Sequence, residues 1–289
     1  MPYVFLVSGA SRGLGRAITE SALAAGHHVV AGVRSPAALA DLSDRAPDHL
    51  AVVDLDVTNV EQVRAAVATA VERFGGLDVL VNNAGYANMG AIEDVDFDDF
   101  RTQVDTNFFG VVRLTQAALP VMRAQRAGHI IQISSVGGRL VRPGLGAYQS
   151  AKWAVTGFSG VLSQEVAPLG IKVTVLEPGG MRTDWAGSSM RVDPIRADYA
   201  ATVGAAATMS TPENLGASDP AKVAALLLQI ADMPDPPTRL LVGPDAYHYA
   251  TAAGRGLLAE DEKSEALSLS TAADDATSDQ LNPLGSKGH

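Results

Sequence analysis

Short apolar runs alternate along the chain with longer segments in which apolar residues recur every three or four positions. The short runs have the length of strands and lie at residues 3–8, 28–33, 50–55, 77–82, 129–134, 171–176 and 239–242. Helical periodicity occupies the intervals at residues 13–25, 60–74, 97–125, 147–167 and 220–231. This alternation predicts an α/β fold, a doubly wound parallel sheet of about seven strands with helices on both faces.

Glycines follow the first of these runs directly. Residues 8–15 read Ser-Gly-Ala-Ser-Arg-Gly-Leu-Gly and lead into the first helical segment. A strand, a glycine turn and a helix start in this order present backbone N–H groups to a pyrophosphate. The spacing Gly9-x-x-x-Gly13-x-Gly15 differs from Gly-x-Gly-x-x-Gly, so the prediction of a nucleotide site depends on the flanking strand and helix.

The same glycines also match a second motif. Gly9-Ala10-Ser11-Arg12-Gly13 has the pattern of the nucleophile elbow in serine hydrolases, and His248 is a candidate base. In that fold an earlier strand supplies the oxyanion loop, but only eight residues precede Gly9. The position of the motif therefore argues against a hydrolase.

A tyrosine and a lysine four residues apart are the main candidates for chemistry. Tyr148 and Lys152 lie in a helical segment, so their side chains emerge on one face. Lowering a tyrosine pKa from about 10 to roughly 7 needs about 4 kcal/mol. An ammonium about 4 Å away, at an effective dielectric constant of about 20, supplies that amount. We therefore expect Lys152 to make Tyr148 a general acid–base group near neutral pH.

Ser135 completes this candidate site. It lies 13 residues before Tyr148, and its neutral hydroxyl can hydrogen-bond the charge that develops on a substrate oxygen. Tyr-x-x-x-Lys by itself is a weak pattern that also describes an ordinary pair on a helix surface. Its combination with the glycine turn favours a site that transfers a proton beside a nucleotide cofactor.

Taken together, these residues resemble the short-chain dehydrogenase/reductase family over residues 3–245. The shared motifs are Gly9, Gly13 and Gly15, Asn82-Asn83-Ala84-Gly85, Asn107, Ser135, Tyr148 with Lys152, and Pro178-Gly179 followed by Thr183. The resemblance implies a Rossmann-type fold. It also implies an oxidoreductase that interconverts a carbonyl and a secondary alcohol by hydride transfer. In this family Ser135, Tyr148 and Lys152 would be catalytic, and Asn107 would hold a water behind Lys152.

The resemblance further implies a set of cofactor contacts. Asp56 and Val57 would lie along the adenine, Asn83 would support the central strand, and Thr183 would reach the nicotinamide carboxamide. The full set is Gly9, Ser11, Arg12, Gly13, Leu14, Gly15, Arg34, Asp56, Val57, Asn83, Ala84, Gly85, Tyr148, Lys152, Pro178, Gly179, Met181 and Thr183.

Local charge predicts which cofactor is preferred. The second strand ends in Val33 and Arg34, without the Asp or Glu that would accept hydrogen bonds from a ribose diol. Arg12 adds a second guanidinium inside the glycine turn. Two guanidinium groups suit a 2′-phosphate through charge-assisted bonds. We therefore expect NADP(H) to be preferred over NAD(H).

Composition excludes several other classes. The 289 residues are 47% hydrophobic, which is enough for a large core, and they contain no cysteine for disulfides or thiolate chemistry. A formal net charge of −10 disfavours nucleic acid. The six histidines show no spacing that predicts a metal site, and no apolar stretch is long enough to span a membrane. These features favour a soluble, cytoplasmic protein.

Two regions depart from the regular alternation. Residues 184–215 interrupt the pattern with Trp185, Met190, Tyr199 and Met209. The family resemblance implies that this segment is a lid over the substrate, whose apolar side chains favour an apolar substrate in contact with Ser135, Tyr148 and Trp185. The alternative is a surface loop with a helix of its own. Residues 257–289 hold seven acidic residues against two lysines and predict a partly disordered acidic extension. We expect residues 1–256 to form a single catalytic domain.

The predicted function is therefore NADP(H)-dependent oxidation and reduction of a small or medium apolar alcohol and carbonyl pair. The alternative is a nucleotide-binding sensor or interaction protein of the same fold without turnover. A methyltransferase is disfavoured because it needs an acid where Val33 and Arg34 lie. By the family resemblance, we expect a homodimer or homotetramer formed through the long helical segments 97–125 and 147–167.

Overall fold

Seven parallel strands form the central sheet of the protein in the computed structural model, which describes residues 2–183, 190–209 and 216–283. The strands are β1 (Val4–Ser8), β2 (His28–Val33), β3 (Leu50–Asp54), β4 (Val79–Asn82), β5 (Ala87–Met89), β6 (Gly128–Ile133), β7 (Ile171–Pro178), β8 (Met190–Val192) and β9 (Arg239–Val242). The order across the main sheet is β3-β2-β1-β4-β6-β7-β9. The predicted α/β fold with seven parallel strands is confirmed.

Helices cover both faces of this sheet. They are α1 (Gly13–Ala24), α2 (Ala40–Arg45), α3 (Val60–Phe74), α4 (Phe97–Val104), α5 (Gly110–Gln125), α6 (Gly146–Val166), α7 (Ala205–Thr208), α8 (Pro220–Asp232), α9 (Pro244–Lys263), α10 (Glu265–Leu269) and α11 (Ser278–Leu281). Apolar residues of α1 and α8 pack on one face of the sheet. Those of α3, α5 and α6 pack on the other face.

The strand order reverses beside β1, and this reversal positions the site. β1 pairs in parallel with β2 on one side and with β4 on the other. The connections after β1 and β4 therefore leave towards opposite faces of the sheet and open a crevice at the carboxyl ends of the strands. The glycine turn, which follows β1, lies at the mouth of this crevice.

The helix predicted over residues 97–125 is interrupted. A π-helical turn, Asp105–Phe109, separates α4 from α5 and contains the buried Asn107. The side chain of Asn107 bonds the backbone of Tyr86, with Nδ2 donating to the Tyr86 carbonyl at 2.8 Å. Turns of this kind often mark functional positions in helices, and helical periodicity alone does not reveal them.

The sequence analysis did not predict the two short strands β5 and β8. β5 and β8 have three residues each and form a separate two-stranded parallel sheet. This small sheet joins the segment after β4 to the segment that follows residue 189. Strands of this length carry too few positions for an alternating pattern to be recognised.

The chain divides into two compact units, Met1–Ala250 and Thr251–His289. The first contains the whole central sheet. The second contains α10 and α11, and α11 begins with a capping box formed by Thr277 and Gln280. Within the predicted acidic extension, the capping box satisfies the first backbone N–H groups of the short helix Ser278–Leu281. Among the described residues, no helix is both long and apolar enough to cross a membrane.

Candidate active site

A cleft of about 1880 Å³ opens at the carboxyl ends of the strands. Its walls include Ser135 and every residue of the predicted cofactor set, from Gly9 to Thr183. Trp185, the remaining predicted substrate contact, lies outside the described residues. One cavity therefore brings together residues that lie as far apart in sequence as Gly9 and Thr183.

The glycine turn has a backbone that only glycine accommodates easily. Gly9 and Gly13 adopt positive φ angles of +68° and +54°. A Cβ atom on Gly15 would overlap the carbonyl oxygen of Gly9 and the Nδ2 atom of Asn83. Arg12 is the N-cap residue of α1, and its cationic side chain cannot accept hydrogen bonds from the first N–H groups of the helix. The first N–H groups of α1 are therefore suited to a phosphate, and a side chain in place of Gly15 would displace the Gly9 carbonyl and the Asn83 amide that shape this turn.

Asn83 ties the glycine turn to the end of β4. Its Nδ2 donates to the carbonyl of Ser8 at 3.0 Å and to that of Gly9 at 3.2 Å. In return, the backbone N–H groups of Asn83 and Ala84 donate to the Ser8 hydroxyl. The two loops that would contact the cofactor are thus held in one fixed relation.

At the end of the cleft where the adenine is predicted to bind, charges of both signs occur together. Arg12 and Arg34 are exposed and line the cleft, as does Asp56. Burial would raise the pKa of Asp56, but hydrogen bonds from the hydroxyl and backbone of Thr58 outweigh it and lower that pKa. The carboxylate of Asp56 is therefore ionised and bound within its own loop, at 2.7 Å from the Thr58 hydroxyl.

Ser135, Tyr148 and Lys152 form one cluster. Ser135 follows β6 and caps a short 3-10 turn, Val136–Gly138, by accepting a bond from the Gly137 N–H at 3.0 Å. Its side chain is also hydrogen-bonded to Tyr148, which lies in the first turn of α6. The Nζ atom of Lys152 lies 5.7 Å from the centroid of the Tyr148 ring. Tyr148 and Lys152 are buried, with exposed fractions of 7% and 4%.

Burial reverses the expected pKa shift of the tyrosine. It raises the pKa of Tyr148 to about 12, although the hydrogen bond with Ser135 acts in the opposite direction. Burial also lowers the pKa of Lys152 to about 8, and Lys152 Nζ donates to the Ile133 carbonyl at 2.7 Å. The expectation that Lys152 alone brings the pKa of Tyr148 near 7 is wrong for the chain by itself, because it counted the charge of the lysine and not the cost of burying a phenolate.

Asn107 lies behind the cleft wall and does not line it. Its Oδ1 accepts from the Tyr86 N–H at 3.0 Å, so both the oxygen and the nitrogen of its amide are hydrogen-bonded to the backbone of Tyr86. A Cβ atom placed on Gly85 would lie 2.5 Å from Asn107 Oδ1 and 3.7 Å from Lys152 Nζ. Gly85 thus allows Asn107 and Lys152 to approach each other. The water that the family resemblance implies at Asn107 stays a prediction.

The end of the cleft where the substrate is predicted to bind combines residues that the sequence analysis missed with residues of the predicted lid. The loop between Ser135 and Tyr148 contributes Leu140, Val141, Arg142, Pro143 and Leu145. Met190, Ala205, Ala206 and Met209 come from the predicted lid, and Tyr199 packs in the small cluster that contains Tyr148. These residues belong to no recognisable motif, and their proximity depends on tertiary folding.

Comparisons with known proteins agree with this geometry. The family model described as short chain dehydrogenase matches residues 3–192. Oxidoreductase BOA17 of Botryotinia fuckeliana is 52% identical over 274 residues, covering 94% of this chain and 100% of that protein.

Solved structures are similar as well. A short-chain dehydrogenase from Streptomyces avermitilis superposes with a TM-score of 0.89 at 38% identity, covering 94% of this chain and 100% of its own. The closed form of serine dehydrogenase complexed with NADP+ superposes with a TM-score of 0.73 at 31% identity, covering 83% and 94%.

Proposed function

The chain belongs to the short-chain dehydrogenase family, and we propose that this oxidoreductase interconverts a carbonyl and a secondary alcohol with NADP(H). The substrate is a small or medium molecule with an apolar body. The proposal depends mainly on one observation: the hydrogen-bonded pair Ser135 and Tyr148 lies beside Lys152 in the same cleft as the glycine turn.

The cofactor, when bound, supplies or accepts the hydride. Glycine-turn N–H groups would hold its pyrophosphate, with Arg12 and Arg34 near the adenosine ribose and Asp56 and Val57 along the adenine. Asn83, Ala84 and Gly85 would line the middle of the site. Pro178, Gly179, Met181 and Thr183 would lie at the nicotinamide end, and Lys152 would bind the nearby ribose.

Side chains of the protein itself transfer the proton. With a pKa of about 12, the Tyr148 phenol carries its proton at neutral pH and can donate it to a carbonyl oxygen during reduction. Ser135 orients that oxygen through its hydroxyl. Lys152, with a pKa of about 8, is mostly cationic at pH 7 and stabilises the phenolate that remains. Asn107 would hold the water that returns a proton behind Lys152.

Preference for NADP(H) is supported by the charges near the adenosine end. Arg34 directly follows β2, and Arg12 lies in the glycine turn. A similar protein, serine dehydrogenase, has been solved as a complex with NADP+. We expect kcat/KM for NADPH to exceed that for NADH by at least about tenfold, since a charge-assisted phosphate contact contributes more than a kcal/mol. A preference for NADH would contradict this cofactor assignment.

The reaction class is tested by a substrate panel. Ketones, aldehydes and secondary alcohols of increasing size are mixed with the protein and each cofactor, and absorbance at the NAD(P)H maximum is followed. The proposal predicts turnover of at least one carbonyl and alcohol pair. Binding of NADPH without turnover of any member of the panel would contradict it.

We also propose self-association through the outer face of α6. Trp153 and Val161 are 45% and 60% exposed there, and no neighbouring atom would obstruct a Cβ on Gly157 or Gly160. A helix face with small residues and exposed apolar side chains permits close packing against the same helix of a second subunit. Light scattering coupled to size exclusion is expected to give twice or four times the 29.9 kDa chain mass; a monomer would contradict the proposal.

A further inference from the structure

The loop between Ser135 and Tyr148 carries an arginine into the substrate end of the cleft. The Arg142 backbone N–H donates to Gln149 Oε1 at 2.8 Å, and Gln149 Nε2 donates to the Leu140 carbonyl at 2.8 Å. Gln149 directly follows Tyr148 on α6. The side chain of Gln149 therefore holds the Arg142 loop against the turn of helix that carries the proposed proton donor.

The partly buried guanidinium of Arg142 has few hydrogen-bond and ion-pair partners among the described residues. Its Nη2 donates to the carbonyl of Ala206 on α7 at 2.8 Å. Within residues 2–183, 190–209 and 216–283, no carboxylate forms an ion pair with it. Burial is the cause of its lowered pKa. Partly buried cations in proteins are normally paired with an anion.

Arg191, another arginine of the cleft wall, differs from Arg142 in its ion pairing. It also lines the cleft, but its guanidinium is bound by Asp99 and lies 2.9 Å from Asp193. Arg191 is thus neutralised by the protein, whereas the only partner of the Arg142 guanidinium among the described residues is a backbone carbonyl. The difference marks Arg142 as a position where an anion from outside the described chain is favoured.

Position and chemistry indicate the source of that anion. Arg142 follows β6, which lies two strands from β1 and its glycine turn, and its side chain contacts the lid helix α7. The wall of the same cleft also includes the apolar residues Leu140, Leu145 and Met209. A planar guanidinium with one bond already made has donors left that match the two oxygens of a carboxylate.

We infer that Arg142 binds the substrate and that the substrate of the proposed reaction carries a carboxylate on an otherwise apolar body. The inference rests on the proposed function, since it names the class of compound that the same site reduces or oxidises. It excludes a purely apolar substrate as the preferred one.

Matched pairs of compounds test the inference in the wild-type protein. The probes are 5-oxohexanoate and 4-acetylbenzoate, each compared with its own methyl ester, with NADPH as the reductant. We expect kcat/KM for at least one acid to exceed that for its ester by about 10-fold to 100-fold, the range of a charge-assisted pair in a partly desolvated site. Equal or lower values for both acids would overturn the inference and leave the proposed function intact.

Substitutions separate recognition from a structural role of Arg142 in holding the lid. Arg142→Met is expected to abolish the acid-over-ester ratio while the ester rate changes less than about threefold. Arg142→Lys keeps the charge and is expected to retain part of the ratio. Arg191→Gln is the matched control, and it is expected to keep the wild-type ratio. Equal losses for acid and ester in Arg142→Met would mean that Arg142 only supports the lid, which overturns the inference.

Binding provides a readout that does not depend on turnover. Calorimetric titration of the full chain with 4-ethylbenzoate and with 4-ethylbenzamide compares two ligands that differ in the anionic group. The wild type is expected to prefer the benzoate by about 10-fold, and Arg142→Met is expected to lose that preference. If the protein shows no turnover but keeps this pattern, the proposed reaction fails and the anion site stands. If neither variant prefers the benzoate, the anion site fails.

Discussion

The two ends of the cleft are constructed differently. At the proposed nucleotide end, the wall is formed by the loops after β1 and β4, and the hydrogen bonds between Asn83 and Ser8 fix the separation of these loops. At the proposed substrate end, the wall is formed by side chains of the loop around Arg142 and of the predicted lid helix α7. The nucleotide end therefore tolerates few changes, while the substrate end can change specificity without changing the fold.

Ser135, Tyr148 and Lys152 lie where these two ends meet. Two of them are held by the central sheet and the turn after it. Lys152 Nζ donates to the carbonyl of the last residue of β6, and Ser135 caps the turn that follows this strand. The proton transfer proposed for them would act on a substrate bound at the other end. Substitutions at each end are thus expected to separate loss of cofactor binding from change of substrate.

The largest effect is expected in the glycine turn. Gly15→Val places side-chain atoms on the Gly9 carbonyl and the Asn83 amide, so the turn cannot keep its shape. We expect the affinity for NADPH to fall at least about 100-fold, measured by calorimetric titration, since loss of the cradle costs several hydrogen bonds to charged oxygens. Gly254→Ala is the matched control, because a Cβ atom there meets no neighbour. An unchanged NADPH affinity in Gly15→Val would show that the nucleotide lies elsewhere.

Cofactor selectivity is the next most sensitive property. Arg34→Glu replaces an attractive charge near the expected 2′-phosphate by a repulsive one. We expect the ratio of kcat/KM for NADPH to that for NADH to fall by about 100-fold. Arg64→Glu makes the same charge change on an arginine of α3 that is 68% exposed and outside the cleft, and is expected to leave the ratio unchanged. Equal ratios in wild type and Arg34→Glu would refute the role of Arg34.

A buried carboxylate stabilises the 3-10 turn that Ser135 caps. Glu177 on β7 is fully buried, and it accepts from Arg139 at 2.7 Å and from Arg239 at 2.7 Å. Arg139 ends the 3-10 turn that Ser135 caps, so the ion pair holds that turn against the sheet. Glu177→Gln is expected to lower the free energy of unfolding by about 2 kcal/mol in urea titration. Glu61→Gln, an exposed ion-pair partner, is the control, and a loss there as large as at Glu177 would contradict the account.

The smallest expected effect is on the pH dependence of the free energy of unfolding. Burial lowers the pKa of His129 to about 4, helped by the positive charge of Lys172, whereas an unfolded histidine has a pKa of about 6.5. The unfolded chain therefore binds more protons in this window, and His129 costs stability as pH falls below 6.5. Between pH 6.5 and 5.5 this contribution is about 1 kcal/mol. His129→Gln is expected to remove it from the pH profile of urea unfolding, and His248→Gln is not. An unchanged profile in His129→Gln would refute the assignment.

Sequence patterns were sufficient for the sheet and the glycine turn because both depend on local rules. Buried parallel strands are continuous apolar runs, and a helix start beside bound phosphate requires glycine at defined positions. The cluster of Ser135, Tyr148 and Lys152 could be predicted for a similar reason, since a helix brings positions four apart onto one face.

Properties that depend on tertiary packing could not be predicted in this way. The pKa of Tyr148 depends on its burial among residues such as Met89 and Val203, which are distant in sequence. The sequence alone therefore led to the wrong direction for its shift. The exposed or paired state of Arg142 likewise depends on the lid helix, which contacts it from 64 residues away.

The most direct test of the central claim is the rate of Tyr148→Phe with a carbonyl substrate found in the panel, beside its affinity for NADPH. Loss of the phenol proton is expected to lower kcat by about 1000-fold while NADPH affinity changes little, because general acid catalysis is removed and the cleft keeps its shape. Tyr249→Phe, a change at another tyrosine of the cleft wall, is expected to keep near wild-type kcat. A Tyr148→Phe enzyme that retains most of its kcat would contradict the assignment of Tyr148 as the proton donor.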